Sequence, residues 1–188
     1  IVMDCITGVT LEEVIERGPI EEKQMIFIAK QICEALHYLH LRNPILLYLD
    51  LKPANIMLEE GGCVKLVDLG SVIVKGEENN VSGTFGYASP EQIGRNQKEG
   101  CLTEQSDIYS LGVVLYAMLM GNCKRLPIIG KNSKRGIVVT EKNPNISSMA
   151  KKIIEKCTRG KIEKRYFSMR EVLRELELWE KKCGKRWY

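Results

Sequence analysis

Apolar residues recur at helical spacing along much of this chain. Between residues 21 and 40 they fall every three or four positions, which predicts a long amphipathic helix. The same spacing over 146–157 predicts another. The run from Ser168 to Glu171 has the form of a capping box, in which two side chains satisfy the first backbone amides of a helix. We therefore expect a last helix to begin at that point.

One stretch is apolar on every side rather than on one face. A helix over 107–120, capped by Ser106, is predicted there, and its lack of a polar face places it in the centre of the fold. A short helix is also expected to begin at Thr10 and to end at Gly18.

Short apolar runs predict a few strands. Residues 56–58 and 64–67 flank a Glu-Glu-Gly-Gly turn and predict a hairpin, and residues 1–3 and 45–47 predict two further strands. Residues 71–90 show no helical period and predict a long loop, which is uncommon in a compact domain and usually functional. The expected fold class is a mostly α-helical α+β domain with a few short strands and hairpins.

The composition is that of a globular protein of one domain. The chain has 188 residues, of which 44% are hydrophobic and 28% charged, and its formal net charge is +4. Lysine and arginine are interspersed with acidic residues, so no nucleic-acid partner is expected. The seven cysteines include no Cys-x-x-Cys pair, which favours reduced thiols and a cytoplasmic location.

Candidate chemistry is concentrated between residues 48 and 68. Asp50, Lys52 and Asn55 are polar groups among apolar neighbours, and such groups are costly at the edge of a core unless they have partners. The predicted hairpin then delivers Asp68. One carboxylate of this set can accept a proton from a hydroxyl nucleophile, whereas a second carboxylate and an amide oxygen are suitable ligands for Mg²⁺.

Four motifs in order extend this cluster into a recognisable pattern. They are Tyr-Leu-Asp-Leu-Lys-Pro-Ala-Asn at 48–55, Asp-Leu-Gly at 68–70, Gly-Thr-Phe-Gly-Tyr-Ala-Ser-Pro-Glu at 83–91, and Ser-Asp-Ile-Tyr-Ser-Leu-Gly at 106–112. With them the chain closely resembles the C-terminal lobe of a eukaryotic-type serine/threonine protein kinase, a kind also found in bacteria. The resemblance covers essentially the whole chain.

The resemblance implies a role for each matching residue. Asp50 is similar to the catalytic aspartate that accepts the proton of the substrate hydroxyl, and Lys52 to the lysine that contacts the transferred phosphate. Asn55 and Asp68 resemble the ligands of Mg²⁺, and ATP is the implied phosphate donor. The resemblance further implies an adenine pocket at Met3, Asp4, Cys5, Ile6, Met57 and Val67, and structural or substrate-loop roles for Gly70, Thr84, Glu91, Asp107 and Arg165. Within that last set, Glu91 is expected to form a buried ion pair with Arg165, and Gly70 to allow a sharp turn after the metal ligand.

The chain departs from the family at the activation switch. Leu49 stands where an arginine usually grips a phosphate on the activation loop, and leucine has no donor for that purpose. The usual phosphorylated position falls near Asn80, which cannot be phosphorylated. We therefore expect an activity that does not depend on activation-loop phosphorylation.

The motifs of the family's N-terminal lobe are not found. No Gly-x-Gly-x-x-Gly occurs in these residues. Residues 1–188 are thus expected to be the hinge and C-terminal lobe alone, with the N-terminal lobe supplied by the same polypeptide. The isolated piece would be nearly inactive, and its uncovered cleft would favour self-association.

Two alternatives remain open. A pseudokinase, binding nucleotide or partner proteins without transfer, would account for Leu49, but the set Asp50, Lys52, Asn55 and Asp68 is intact. A kinase of small molecules would share the aspartate and the metal ligands but not the motif at 83–91. The basic and aromatic end at 181–188 is compatible with a membrane anchor beyond it, but a solvated helix end, with cations near the negative end of its dipole, is the favoured interpretation.

Overall fold

The fold was obtained as a computed structural model that describes residues 7–77, 83–93, 102–129, 133, 135–139 and 146–184. Its elements, in chain order, are β1 (Val9–Thr10), α1 (Leu11–Glu16), α2 (Glu22–His40), β2 (Leu46–Leu47), β3 (Ile56–Leu58), β4 (Val64–Leu66), β5 (Ile73–Val74), α3 (Pro90–Ile93), α4 (Glu104–Met120), α5 (Ser148–Cys157) and α6 (Met169–Gly184). Short 3-10 turns occupy Pro53–Asn55, Leu69–Ser71 and Ile162–Lys164.

Helix α4 is the centre of the hydrophobic core, as its uniformly apolar sequence predicts. Its residues from Ser106 to Leu115 are all buried, α2 and α5 pack against it, and α6 packs against α2 and α5. Gly112 permits the approach of α5, because a Cβ atom there would lie 2.5 Å from the Cβ of Cys157 and would collide with it. This packing makes α4 a rigid support for the loops that reach its N-terminus.

The start of α4 differs from the prediction. The helix begins at Glu104 after Thr103, whereas Ser106 was expected to be its cap. Ser106 instead lies within the first turn, where its hydroxyl accepts a hydrogen bond from the backbone amide of Thr103. The polar residues Glu104 and Gln105 hid this first turn, because the prediction relied on the apolar run that follows them.

The other long helices were predicted closely. Helix α2 matches the periodic stretch 21–40, α5 lies within the periodic stretch 146–157, and α6 begins directly after Ser168, at the predicted capping box. In α1, the side chains of Thr10 and Glu13 form a complete capping box.

Within the described ranges the strands form two small antiparallel sheets. The first has the order β1-β3-β4 and contains the predicted hairpin, with Ile56 opposite Leu66 and Leu58 opposite Val64. The second pairs β2 with β5, so that Leu47 lies opposite Ile73. Strand β5 falls inside the stretch that we expected to be loop throughout. Both sheets flank the segment 48–55 and fix its two ends.

Some expectations fall outside the described residues. The strand at 1–3, the adenine-pocket residues Met3, Asp4, Cys5 and Ile6, and the position of Asn80 all belong to this group. Among the helices that the structure describes, none is long and apolar enough to cross a bilayer.

Candidate active site

Asp50 is the meeting point of a compact hydrogen-bond network. The Thr84 hydroxyl donates to its Oδ1 at 2.6 Å, and the Lys52 ammonium donates to its Oδ2 at 2.8 Å. The Asn55 amide nitrogen also donates to Oδ2, at 2.9 Å. Lys52 in turn donates to the Thr84 oxygen at 2.8 Å, which closes the network between the loop at 48–55 and the distant loop at 83–91.

This network keeps Asp50 ionised. Partial burial acts to raise the pKa of its carboxyl, but hydrogen bonds from Lys52, Thr84 and Asn55 more than offset that effect, so the pKa is lowered. The side chain is 11% exposed, so it is not fully sealed from solvent. A carboxylate has about four acceptor positions, and the three donors named here leave one of them, on Oδ1, for a further hydroxyl.

Asn55 and Asp68 are brought to the site by the hairpin of β3 and β4. The Val67 amide donates to the Asn55 carbonyl at 3.0 Å, which holds the residue before Asp68 against the loop that carries Asp50. Because the Asn55 side-chain nitrogen binds Asp50, its oxygen is the atom left for a ligand. Asp68 is an exposed carboxylate. The donors offered here are hard oxygens, which fit Mg²⁺.

The sharp turn after β4 occurs at Asp68 itself. Its φ is +59°, a left-handed conformation that is unusual for a residue with a side chain, whereas Gly70 was expected to provide this freedom. Gly70 serves a different purpose: its amide donates to Asp68 Oδ1 at 3.3 Å, and a Cβ there would lie only 3.2 Å from that oxygen. The missing side chain leaves room for the carboxylate.

Asp107 anchors the beginning of the loop to the central helix. Its Oδ1 accepts the amide of Leu49 at 2.8 Å, and its Oδ2 accepts the amide of Tyr48 at 3.0 Å and contacts His40 Nε2 at 2.8 Å. Asp107 is fully buried, so its carboxylate oxygens bind these protein groups instead of water. The Tyr48 hydroxyl donates to the carbonyl of Val67 and thereby ties this loop to the end of β4.

Leu49 is part of a second, smaller apolar cluster. Its backbone has a φ of +61°, and its side chain, 1% exposed, packs with Leu47 and Leu102. The half-buried side chains of Ile45 and Ile73 cover this cluster. The side chain at position 49 therefore lies in an apolar environment, where an unpaired charge would be costly.

Glu91 and Arg165 form a buried ion pair with two parallel hydrogen bonds. Arg165 Nη1 donates to Oε1 at 2.6 Å and Nη2 to Oε2 at 2.8 Å, and the two side chains are 0% and 4% exposed for Arg165 and Glu91. The Ser106 hydroxyl also donates to Oε1, at 2.9 Å. Burial acts to raise the pKa of Glu91, but Arg165 and Ser106 more than offset it, so the pKa is lowered. The pair thus fixes the loop at 83–91 to the core.

The remaining pocket positions are near the hairpin. Met57 is a half-buried residue of β3, opposite Thr10 and Lys65. Val67 follows β4 and contacts Asn55 and Tyr48 through its backbone.

Sequence reasoning missed several residues of this region. Gln92, His40 and Leu102 contact residues of the motifs and were not predicted as site residues, and Ser106 was predicted as a helix cap rather than as a partner of Glu91. No local pattern distinguishes them from ordinary residues, because each makes the contact named here with a segment at least 15 residues away in sequence.

Comparison with known proteins shows the family. The sequence matches the protein kinase domain over residues 1–176. It is 37% identical over 139 residues to the serine/threonine-protein kinase PrkC of Bacillus subtilis, and 36% identical over 188 residues to a probable serine/threonine-protein kinase of Clostridium acetobutylicum. It is also 37% identical over 129 residues to the serine/threonine-protein kinase PknB of Mycobacterium tuberculosis.

The chain therefore belongs to the protein kinase domain family and is related to the bacterial serine/threonine protein kinases. These alignments cover 71%, 94% and 64% of this chain but only 20%, 28% and 20% of the respective relatives. The chain thus spans 20% to 28% of the length of these proteins.

Proposed function

We propose that the protein transfers the γ-phosphoryl group of ATP to serine and threonine hydroxyls of other proteins. The observation that carries this proposal is the ionised carboxylate of Asp50, held by Lys52 and Thr84 with one acceptor position still open. A substrate hydroxyl at that position can donate its proton to Asp50.

The residues divide the work as follows. Asp50 orients the substrate hydroxyl and accepts its proton while the new oxygen–phosphorus bond forms and the bond to the ADP oxygen breaks. Lys52 lies within reach of Asp50 and supplies a positive charge for the transferred phosphoryl group. Asn55 and Asp68 would hold Mg²⁺, which neutralises charge on the phosphates when bound. Thr84 joins the substrate loop to the base.

We further propose that residues 1–188 form the hinge and C-terminal lobe of the catalytic domain. The motifs that support this are those of the catalytic, metal and substrate loops, together with the pair Glu91–Arg165. The N-terminal lobe of the same polypeptide would then complete the ATP site, with the adenine ring against Met3, Asp4, Cys5, Ile6, Met57 and Val67. The isolated piece is expected to be nearly inactive and to self-associate. The free thiols of the described cysteines support a cytoplasmic location.

We also propose that the activity does not depend on a phosphate on the activation loop. In the small cluster, Leu49 and Leu102 pack under β5, and the Lys75 amide donates to the Ile45 carbonyl at 2.9 Å. Lys75 also forms an ion pair with Glu104 at 2.8 Å. These contacts support the proposal that the segment after Asp68 is held without a phosphate. Treatment of the full-length protein with a phosphatase should accordingly leave its rate of transfer unchanged, and a loss of activity would refute this part.

The alternative function is that of a pseudokinase, which binds nucleotide or partner proteins without phosphoryl transfer. The leucine at position 49, in place of the usual arginine, favours it. Incubation of the full-length protein with γ-labelled ATP, Mg²⁺ and general protein substrates, followed by phosphoamino-acid analysis, separates the two functions. Label on serine or threonine supports the kinase. Binding of ATP or partner proteins without label supports the pseudokinase.

A further inference from the structure

Besides the contacts of Thr84 with Lys52 and Asp50, the side chain of Gln92 connects the catalytic loop at 48–55 to the substrate loop at 83–91. Gln92 lies in α3, directly after the Ser-Pro-Glu of the substrate loop, and its Nε2 donates to the carbonyl of Leu49 at 2.9 Å. Its Oε1 accepts both the amide and the hydroxyl of Ser89, each at 2.9 Å. Leu49 immediately precedes Asp50, so the contact reaches the residue next to the proposed base.

The orientation of this amide is fixed by its partners. The carbonyl of Leu49 can only accept and the amide of Ser89 can only donate, so the nitrogen of Gln92 must face Leu49 and the oxygen must face Ser89. Glutamate cannot reproduce this pattern, because a carboxylate has no proton for Leu49. The surroundings of Gln92 are also tight: a Cβ at Gly83 would lie 3.0 Å from its Nε2.

The bridge completes the restraint of a backbone that is held in an unfavourable conformation. Leu49 has a φ of +61°, and its amide donates to Asp107 while its carbonyl accepts from Gln92. A left-handed residue with a side chain persists only when its surroundings determine it. Loss of the Gln92 contact would leave the carbonyl side of Leu49, and hence the orientation of Asp50, without this restraint.

We propose that Gln92 is a positioning residue for phosphoryl transfer, which sets Asp50 relative to the substrate loop through Leu49. This inference rests on the proposed kinase function. Because Gln92 acts on the position of the base, its loss should lower the rate of the chemical step. The binding of ATP should not change.

The test is a kinetic comparison of Gln92→Glu with Gln105→Glu in the full-length protein. Gln105 is a matched control, since its Nε2 also donates to a backbone carbonyl, that of Phe167, at 2.9 Å, away from the loops of the site. Gln92→Glu should lower kcat for a protein substrate at least 10-fold with KM for ATP within 2-fold of wild type, and Gln105→Glu should change neither. Retention of kcat in Gln92→Glu, or an equal loss in both variants, would overturn the proposal. If Gln92→Glu does not fold, Gln92→Met, which has a similar size and lacks all three hydrogen bonds of the glutamine, takes its place with the same expectation.

Amide hydrogen exchange supplies a readout that does not need activity. In Gln92→Met, the segments 47–55 and 83–91 should both exchange faster than in wild type, and in Gln105→Glu they should not. If the wild-type protein transfers no phosphate, the proposed function fails, and exchange alone then decides whether the bridge exists. Unchanged exchange in both segments would overturn it.

Discussion

Arg165 binds both carboxylate oxygens of Glu91, a residue 74 positions earlier in the chain. The guanidinium also donates to the backbone carbonyls of Gln105, Arg159 and Gly160, so that each of its five N–H bonds has an acceptor. The pair therefore joins the substrate loop, the start of α4 and the segment before α6. Removal of one partner of such a buried pair is costly, because the other charge is then left unpaired and out of contact with water.

Removal of one partner should destabilise the domain. For Glu91→Gln, we expect the free energy of unfolding to fall by about 3–5 kcal/mol, as measured by denaturant unfolding of the full-length protein. Glu104→Gln is the control, because its ion pair with Lys75 is partly exposed and should contribute only about 0–1 kcal/mol. Equal losses in the two variants would show that burial of the Glu91 pair is not the cause.

The same pair predicts a dependence of stability on pH. The pKa of Glu91 is lowered in the folded protein from its ordinary value of 4.5, so the unfolded chain binds the proton more readily. The contribution of Glu91 is then fully present above about pH 4.5 and is lost as the pH falls through the folded pKa. The difference in unfolding free energy between wild type and Glu91→Gln should shrink as the pH is lowered below that range. A difference that is constant with pH would contradict the assignment.

Asp107→Asn should release the catalytic loop. The carboxylate accepts from the amides of Tyr48 and Leu49, and an asparagine nitrogen in place of either oxygen would face one of these donors. An unsatisfied buried donor costs about 1–3 kcal/mol, so the variant should be destabilised by at least that amount. Hydrogen exchange should also be faster in the segment 47–50. If melting and exchange are both unchanged, the anchoring role of Asp107 is wrong.

The stability of the fold should tolerate a side chain of similar volume at Leu49 but not a truncated one. Leu49→Ala deletes a buried side chain and should cost about 2–5 kcal/mol, whereas Leu49→Met keeps the volume and should cost less than about 1.5 kcal/mol. Alanine also has a Cβ, so the left-handed φ remains equally strained and the comparison reports on packing. Thermal unfolding of both variants measures the difference. Similar losses in the two would mean that the cluster with Leu102 does not support the loop.

The helices and the hairpin could be predicted from the sequence because their signals are local. Apolar spacing located α2 and α5, and capping patterns located the starts of α1 and α6. Strand β5 could not be found in this way, since it consists of two residues whose partners in β2 lie 26 to 28 positions earlier. The first turn of α4 was missed for a different reason: Glu104 and Gln105 are polar, and the prediction relied on the apolar run that follows them.

The site was only partly accessible to the same reasoning. Polar residues among apolar neighbours indicated Asp50, Lys52 and Asn55, and the roles assigned to them came from the resemblance to kinases. The left-handed turn at Asp68 and the bridge from Gln92 depend on distances between loops that fold together from distant parts of the chain. No spacing rule within the sequence encodes those distances.

The most direct test of the account is the rate of phosphoryl transfer by the full-length protein and its Asp50→Asn variant. Asparagine has nearly the shape of aspartate but cannot accept the proton of the substrate hydroxyl. We predict a loss of at least about 100-fold in kcat, since general base catalysis contributes about 10²–10⁴-fold, with ATP binding and the melting temperature largely retained. Transfer by Asp50→Asn at the wild-type rate would contradict the assignment of Asp50 as the catalytic base.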